Sequence, residues 1–302
     1  MRLTENKNFI ALDAPAKINL YLQVIGRRSD GYHLLDSLVA FTEKCDCLTA
    51  TLADSLTLQV TGPFSGSLSE GQDDNLILRA ARSLQNRFDI KKGAAVTLQK
   101  NLPISAGVGG GSADAAAILR ILSELWQIKL DDSELSRIGL SIGADIPVCI
   151  SGIPSRMSGI GETVVPVDAL PNCAIVLINS GEAVPTSSVF AAHDGTFSTS
   201  KAWKAPSNFD ELVSFLKLQA NDLADAARLV LPQISDVLGE LRISDGCELA
   251  RLSGSGGTCF GLFPDVTSAR IAADNIQNTN PQWWSVATTF RDTRPEIRSG
   301  SG

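Results

Sequence analysis

The chain has 302 residues, 44% of them apolar and 20% charged, enough to bury two cores of unequal size and too apolar for wholesale disorder. A formal charge of −7 argues against a protein that wraps nucleic acid, which needs a basic balance. Six cysteines without a Cys-x-x-Cys pair, and only two histidines, exclude a structural zinc site and fit reduced, mostly buried thiols.

The first ten residues carry no apolar leader, and no apolar run reaches the ~20 residues a membrane helix needs. A cytoplasmic chain without membrane partners is therefore expected. Ile18, Leu20, Leu22 and Val24 recur at a period of two, which predicts a half-buried strand with Lys17, Asn19 and Tyr21 on its other face. A turn at 27–31 follows, then strands over 48–52 and 56–60 and an exposed Gly/Ser-rich loop over 62–71. Asn75 precedes a helix with Ile77, Ala80, Ala81, Leu84 and Phe88 on one face. Val96 and Leu98 mark a strand, and a glycine-rich stretch then leads into a second helix with Ala115, Ile118, Leu119 and Leu122 at helical spacing. Asp131 and Asp132 can cap a third helix, expected to run to Gly143, with Asp145 just beyond.

Strands over 164–167 and 174–178 flank a Pro-containing break, which divides the chain into domains 1–168 and 169–302. The second half offers helices near 209–218, 221–230, 233–242 and 265–276. It also offers strands over 247–252 and 258–263 and one through Trp284, Val286, Thr288 and Phe290. The tail is expected to fray. Hairpins mixed with helices suggest α+β layers.

The stretch LPISAGVGGGSADAAAIL, at 102–119, carries the most chemistry. Gly107, Gly109, Gly110 and Gly111 let the backbone approach an anion, and the helix start supplies unsatisfied N–H groups and a partial positive charge. Ser112 can offer a hydroxyl to a phosphate or to Mg²⁺, or serve as a plain cap. No Gly-Lys-Ser/Thr follows, so this is not a Walker A loop, and Ser112 stands where a dinucleotide fingerprint has its third glycine. Asp145 is a candidate base, or a helix cap, and Lys17 a candidate partner for it or an ordinary strand lysine.

Together with APAKINLYLQVIGRRSDGYHLLDS (14–37), DNLILRAA (74–81), IGADIPVCISG (142–152) and LSGSGGTCFGLF (252–263), the loop resembles the GHMP kinases. Within them it is similar to the branch whose acceptor is 4-diphosphocytidyl-2-C-methyl-D-erythritol, in the non-mevalonate route to isoprenoids. Two departures are mild: Gly257 stands where proline is frequent, and Val108 where Leu or Met is common.

The resemblance implies a two-domain α+β fold, with an ATP-binding N-terminal domain of the ribosomal protein S5 domain 2-like type and a smaller ferredoxin-like C-terminal domain. It implies ATP-dependent phosphorylation of the 2-hydroxyl, with Mg²⁺ required. Lys17 and Asp145 become catalytic. Asn75, Leu76 and Lys100 fall around adenine, and Pro103, Gly107, Gly109, Gly110, Gly111 and Ser112 around the phosphates, with Ser112 the metal contact. Asn19, Tyr32, His33, Asp145, Thr186 and Phe190 fall on the acceptor, where rings suit a cytosine. The 253–257 turn is either a third wall of the cleft near the phosphates or a plain hairpin turn. The partner is a small molecule, with no nucleic acid, and the chain is a monomer or weak homodimer. A GHMP kinase for another alcohol, or a ligand sensor on the same fold, are the alternatives. A sensor would have lost the lysine or the aspartate.

Overall fold

The computed structural model describes residues 8–66, 75–104 and 107–301. Residues 1–7, where no apolar leader was expected, and the 67–71 part of the expected loop lie outside them. The first half runs β1 (Asn8–Arg27), β2 (His33–Ala53), β3 (Thr57–Thr61), α1 (Leu76–Phe88), β4 (Gly93–Gln99), α2 (Gly110–Leu125), α3 (Asp132–Leu140), α4 (Ile146–Ser151), β5 (Ser155–Gly159) and β6 (Thr163–Pro166). The second runs β7 (Ala174–Asn179), α5 (Thr186–Ala191), α6 (Phe209–Lys217), α7 (Ala224–Val230), α8 (Ile234–Ile243), β8 (Leu249–Leu252), β9 (Thr258–Phe263), α9 (Val266–Thr279), β10 (Trp284–Arg291) and β11 (Arg298–Ser301).

The main path of the sheet is β11-β1-β2-β10-β7-β9-β8, with β4–β3 and β5–β6 branching from β2. β2 can serve so many neighbours because it is long. Its far end pairs β4, its near end pairs β5, and Phe41 and Thr42 between them meet β10. That short β10 contact joins the sheet of the first half to the β7–β10 sheet of the second.

β1 shows how the site is positioned. Its register against β2 shifts between Pro15 and Lys17 and again between Asn19 and Tyr21. Each shift is a bulge that swaps which residues face which side. Ile10, Leu12 and Ala14 face one core, and so do Leu22 and Val24 beyond the second shift. Ala16, Ile18 and Leu20 pack into the other core. Between the shifts it is Lys17 and Asn19 that take the first face, so a polar window opens in an otherwise apolar one. Tyr21 does not join them, contrary to the alternation. The second bulge turns it into the core of Ile18 and Leu20, where its hydroxyl bonds Asp36.

Helix starts follow local chemistry. Asn75 Oδ1 accepts the Ile77 N–H at 2.8 Å, and Asp131 with Glu134 forms a capping box on α3. α3 ends at Leu140, earlier than expected, and a turn then delivers Asp145 to the start of α4. The six-residue α4 and α5 and the five-residue β5 are too short for a period to reveal. The tail is not frayed. β11 pairs with β1, and Arg298 bonds both oxygens of Asp13, at 3.1 and 2.7 Å. All six cysteines are free thiols, three buried and three half-buried. Among the described residues, no helix is long and apolar enough to cross a membrane.

Candidate active site

A cavity of about 1100 Å³ opens where β1, the start of α1, the Gly-rich loop, Asp145, α5 and the 253–257 turn converge. Drug-sized ligands occupy pockets of roughly 300–1,000 Å³, so there is room here for a nucleotide and a second substrate. Every residue expected at the site lines it. Asn75, Leu76, Lys100, Pro103, Gly107, Gly109, Gly110, Gly111 and Ser112 lie along one wall, and Tyr32, His33, Thr186 and Phe190 along another. Lys17, Asn19 and Asp145 line it as well.

Lys17 is almost fully buried, and its Nζ is 2.9 Å from Asp145 Oδ2 and 2.9 Å from Asn19 Oδ1. Asn19 is held in turn, donating through Nδ2 to Ser37 Oγ at 2.8 Å. Asp145 occupies the cap position of α4 but makes no capping hydrogen bond, so its carboxylate is not consumed by the helix. About 37% of that side chain is exposed. Lysine and carboxylate therefore meet with the carboxylate facing the cavity.

The Gly-rich loop folds against this pair. Lys17 N–H donates to Val108 O at 2.8 Å. Gly109, at φ +61°, caps α2, and a Cβ there would stand 2.9 Å from Lys17 Cε. Gly107, at φ +70°, approaches Gly256 O so closely that a Cβ would reach 2.3 Å. Both positions need glycine for conformation and for space. Ala113 N–H is bonded to Gly109 O, which leaves the N–H groups of Gly110, Gly111 and Ser112 without an intrahelical acceptor. The buried Ser253 hydroxyl binds the elements together, accepting from Asn19 N–H at 3.1 Å and donating to Gly107 O at 3.0 Å. Asn221 fixes the same turn through Leu252 O and Gly254 O, both at 2.8 Å.

At the far wall, His33 stacks on Phe190 with ring centres 4.9 Å apart, and His193 meets it edge-on at 5.8 Å. Partial burial, with Arg27 and His193 nearby, holds His33 below the ordinary histidine range, which favours the neutral ring. It then offers one donor and one acceptor. Tyr32 is mostly exposed at the rim, and Thr186 Oγ1 bonds Ser255 Oγ at 3.0 Å.

Lys100 is the surprise among the expected residues. Its ammonium is held between Asp46 and Asp114. Burial works against its charge, but the two carboxylates outweigh that and raise it above the usual lysine range. Burial, reinforced by Asp46, pushes Asp114 up in spite of Lys100. Ser253 falls in the turn the sequence singled out, but Asp46 and Asn221 carried no local signal, and their bonds to Lys100 and to Leu252 and Gly254 span about 30 to 50 residues of chain.

Residues 75–153 match the N-terminal domain of the GHMP kinases, and residues 206–282 match the GHMP kinases C-terminal domain. A 4-diphosphocytidyl-2-C-methyl-D-erythritol kinase of Rhodospirillum rubrum is 47% identical over 275 residues, covering 91% of this chain and 90% of that protein. One of the same name from Parvibaculum lavamentivorans is 46% identical, with 90% and 94% covered. The crystal structure of a 4-(cytidine 5'-diphospho)-2C-methyl-D-erythritol kinase superposes with a TM-score of 0.77 at 32% identity, over 93% of this chain and 98% of that one. A homoserine kinase of Cytophaga hutchinsonii shares the fold, with a TM-score of 0.70 at 14% identity and 99% of each chain covered. The chain thus belongs to the GHMP kinases and, within them, to the family of the 4-diphosphocytidyl-2-C-methyl-D-erythritol kinases.

Proposed function

We propose that the protein transfers the γ-phosphate of ATP to the 2-hydroxyl of 4-diphosphocytidyl-2-C-methyl-D-erythritol, releasing ADP and the 2-phosphate on the non-mevalonate route to isoprenoids. The observation that carries this reading is the Lys17–Asp145 pair at 2.9 Å, set in a single cavity between a phosphate-type loop and an aromatic wall.

The three open N–H groups at the start of α2 hold the ATP phosphates, with the helix dipole behind them. Asn75 and Leu76 border the adenine. Asp145 accepts the hydroxyl proton as the oxygen attacks phosphorus in line, and Asn19 keeps Lys17 directed at the reaction centre. Lys17 keeps Asp145 ionised and offsets charge on the moving phosphoryl group. No group on the chain needs to carry the phosphate. His33, Tyr32 and Phe190 receive the cytosine, Phe190 and Tyr32 by stacking and neutral His33 by hydrogen bonds to the base edge. Thr186 borders the same ligand.

Among the described residues no cluster of three or more His, Cys, Asp or Glu could hold a metal by itself. The donor set fits an ion that arrives with the nucleotide, phosphate oxygens supplying most ligands and the Ser112 hydroxyl one more. Bound there, Mg²⁺ would neutralise charge on the β- and γ-phosphates. Residues 1–168 form the nucleotide domain and 169–302 the acceptor domain. Strands β1–β6 before that boundary and β7–β10 after it support the division, with β11 returning to β1. The free thiols fit a reducing cytoplasm, and a monomer or weak homodimer is the working state.

ADP release with the cytidine-tagged alcohol, homoserine and mevalonate as alternative acceptors tests the assignment. Turnover with the tagged alcohol alone is expected. Turnover with either of the others, and none with it, overturns the acceptor.

A further inference from the structure

The resemblance puts Lys100 around the adenine, but its ammonium lies inside the protein, against the first residue of α2. Nζ is 2.5 Å from Asp46 Oδ2 and 2.6 Å from Asp114 Oδ2, and all three residues are buried. A Cβ added at Gly110 would stand 3.1 Å from Nζ, so the ammonium is packed directly against the helix start.

Asp46, in β2, spends its other oxygen on the backbone. Oδ1 accepts the N–H groups of Asn101 at 2.6 Å and Leu102 at 2.9 Å. Those two residues lead the chain from β4 into the Gly-rich loop. Asp114 stands at the other end, where the loop has become helix. One ammonium therefore joins the leading and trailing ends of the loop, and ties both to β2. Asp114 Oδ1 has no hydrogen-bond partner among the described residues, so the trailing end is held through Oδ2 and Lys100.

Charge points the same way. A buried carboxylate under a helix N-terminus would oppose any anion seated on it, and little water screens it there. Lys100 offsets the Asp46 charge and holds Asp114 at a set distance. Two of its donors are spent on the carboxylates of Asp46 and Asp114.

We propose that Lys100 is a positioning residue for the nucleotide phosphates: with Asp46 and Asp114 it forms a buried clasp that sets the Gly-rich loop and masks the carboxylates below it. This rests on reading that loop as the ATP seat.

The test compares wild type, Lys100→Met, Asp114→Ala and Asp114→Asn. ATP and acceptor are varied separately, and ATP binding is measured by calorimetry. Lys100→Met is expected to raise KM and Kd for ATP at least ~10-fold and Asp114→Ala several-fold, with the acceptor KM within about twofold. Asp114→Asn keeps an oxygen for Lys100 and is expected to recover most of the loss. Circular dichroism reports folding. If Lys100→Met does not fold, Asp114→Ala, which retains the Lys100–Asp46 pair, decides the matter. Unchanged ATP affinity in folded variants, or equal losses for both substrates, overturns the clasp. Wild-type protein that fails to bind ATP overturns the seat itself, and the clasp with it.

Discussion

Lys17 and Lys100 are buried to nearly the same depth, at 3% and 2% exposure, and each meets an aspartate near the Gly-rich loop. What separates them is the partner. Asp145 is more than a third exposed and faces the cavity, whereas Asp46 and Asp114 are buried. An ion pair with one open oxygen can exchange a proton with a ligand. One whose carboxylates are themselves buried is suited to holding backbone in place. Burial of the lysine alone does not distinguish chemistry from architecture, but exposure of its counter-ion does.

Substituting Lys17 tests the open pair most severely. Lys17→Met is expected to lower kcat by roughly 10²–10³, as removal of a charge-stabilising donor does, with ATP still bound. Rapid-quench measurement of ADP formation checks this. A kcat within tenfold of wild type would place Lys17 with the architectural lysine.

A third buried pair sharpens the contrast, because it lies away from the cavity. Asp36 accepts two bonds from Arg156, at 2.9 and 2.6 Å, and one each from Tyr21 and Ser200. Burial alone would raise its pKa, but Arg156, Ser200 and Tyr21 hold it below the usual carboxylate range. Its folded pKa is thus lower than its unfolded one. The stability it contributes is complete above about pH 4 and is lost as pH falls through the folded value. Asp36→Ala is expected to cost about 3 kcal/mol in urea unfolding at pH 7, the low end for a broken buried pair because Arg156 is partly solvated. The difference between variant and wild type should shrink towards pH 3. A cost independent of pH would show that packing, and not charge, is what the position supplies.

Smaller effects follow at positions that combine capping with lining. Asn75→Ala removes the α1 cap and is expected to cost ~1 kcal/mol of stability together with a modest rise in KM for ATP. Thermal unfolding and steady-state kinetics on one preparation separate the two effects. At the surface, Arg298→Ala loosens β11 from Asp13 and is expected to cost less than ~1 kcal/mol, since Arg298 is about half exposed. Hydrogen exchange at β1 and β11 should report it, with kcat unaltered.

Much of this molecule is legible in its sequence where the signal is local. The amphipathic face of α1, the Asp131 cap and the Gly-rich helix start all stand as read. Tyr21 is misread because a period of two assumes an unbroken pleat, and the bulge after Asn19 inserts one residue into the count. α4 goes unseen because six residues from Ile146 contain fewer than two turns and begin beside a proline. β11 is missed because its four residues carry no pattern of their own and are held by a strand at the other end of the chain. The residues expected at the site line one cavity, while the connections behind them are not legible in the sequence. Ser253, Asn221 and Asp46 work through contacts made across the fold, and residue type alone does not announce them.

Asp145→Asn tests the open pair most directly, with single-turnover phosphoryl transfer and ATP affinity measured on the same folded sample. As general base, Asp145 requires the transfer rate to fall by roughly 10²–10⁴ while ATP binding stays near wild type. A transfer rate within tenfold of wild type, with ATP bound normally, would contradict that role and leave the Lys17–Asp145 pair as architecture.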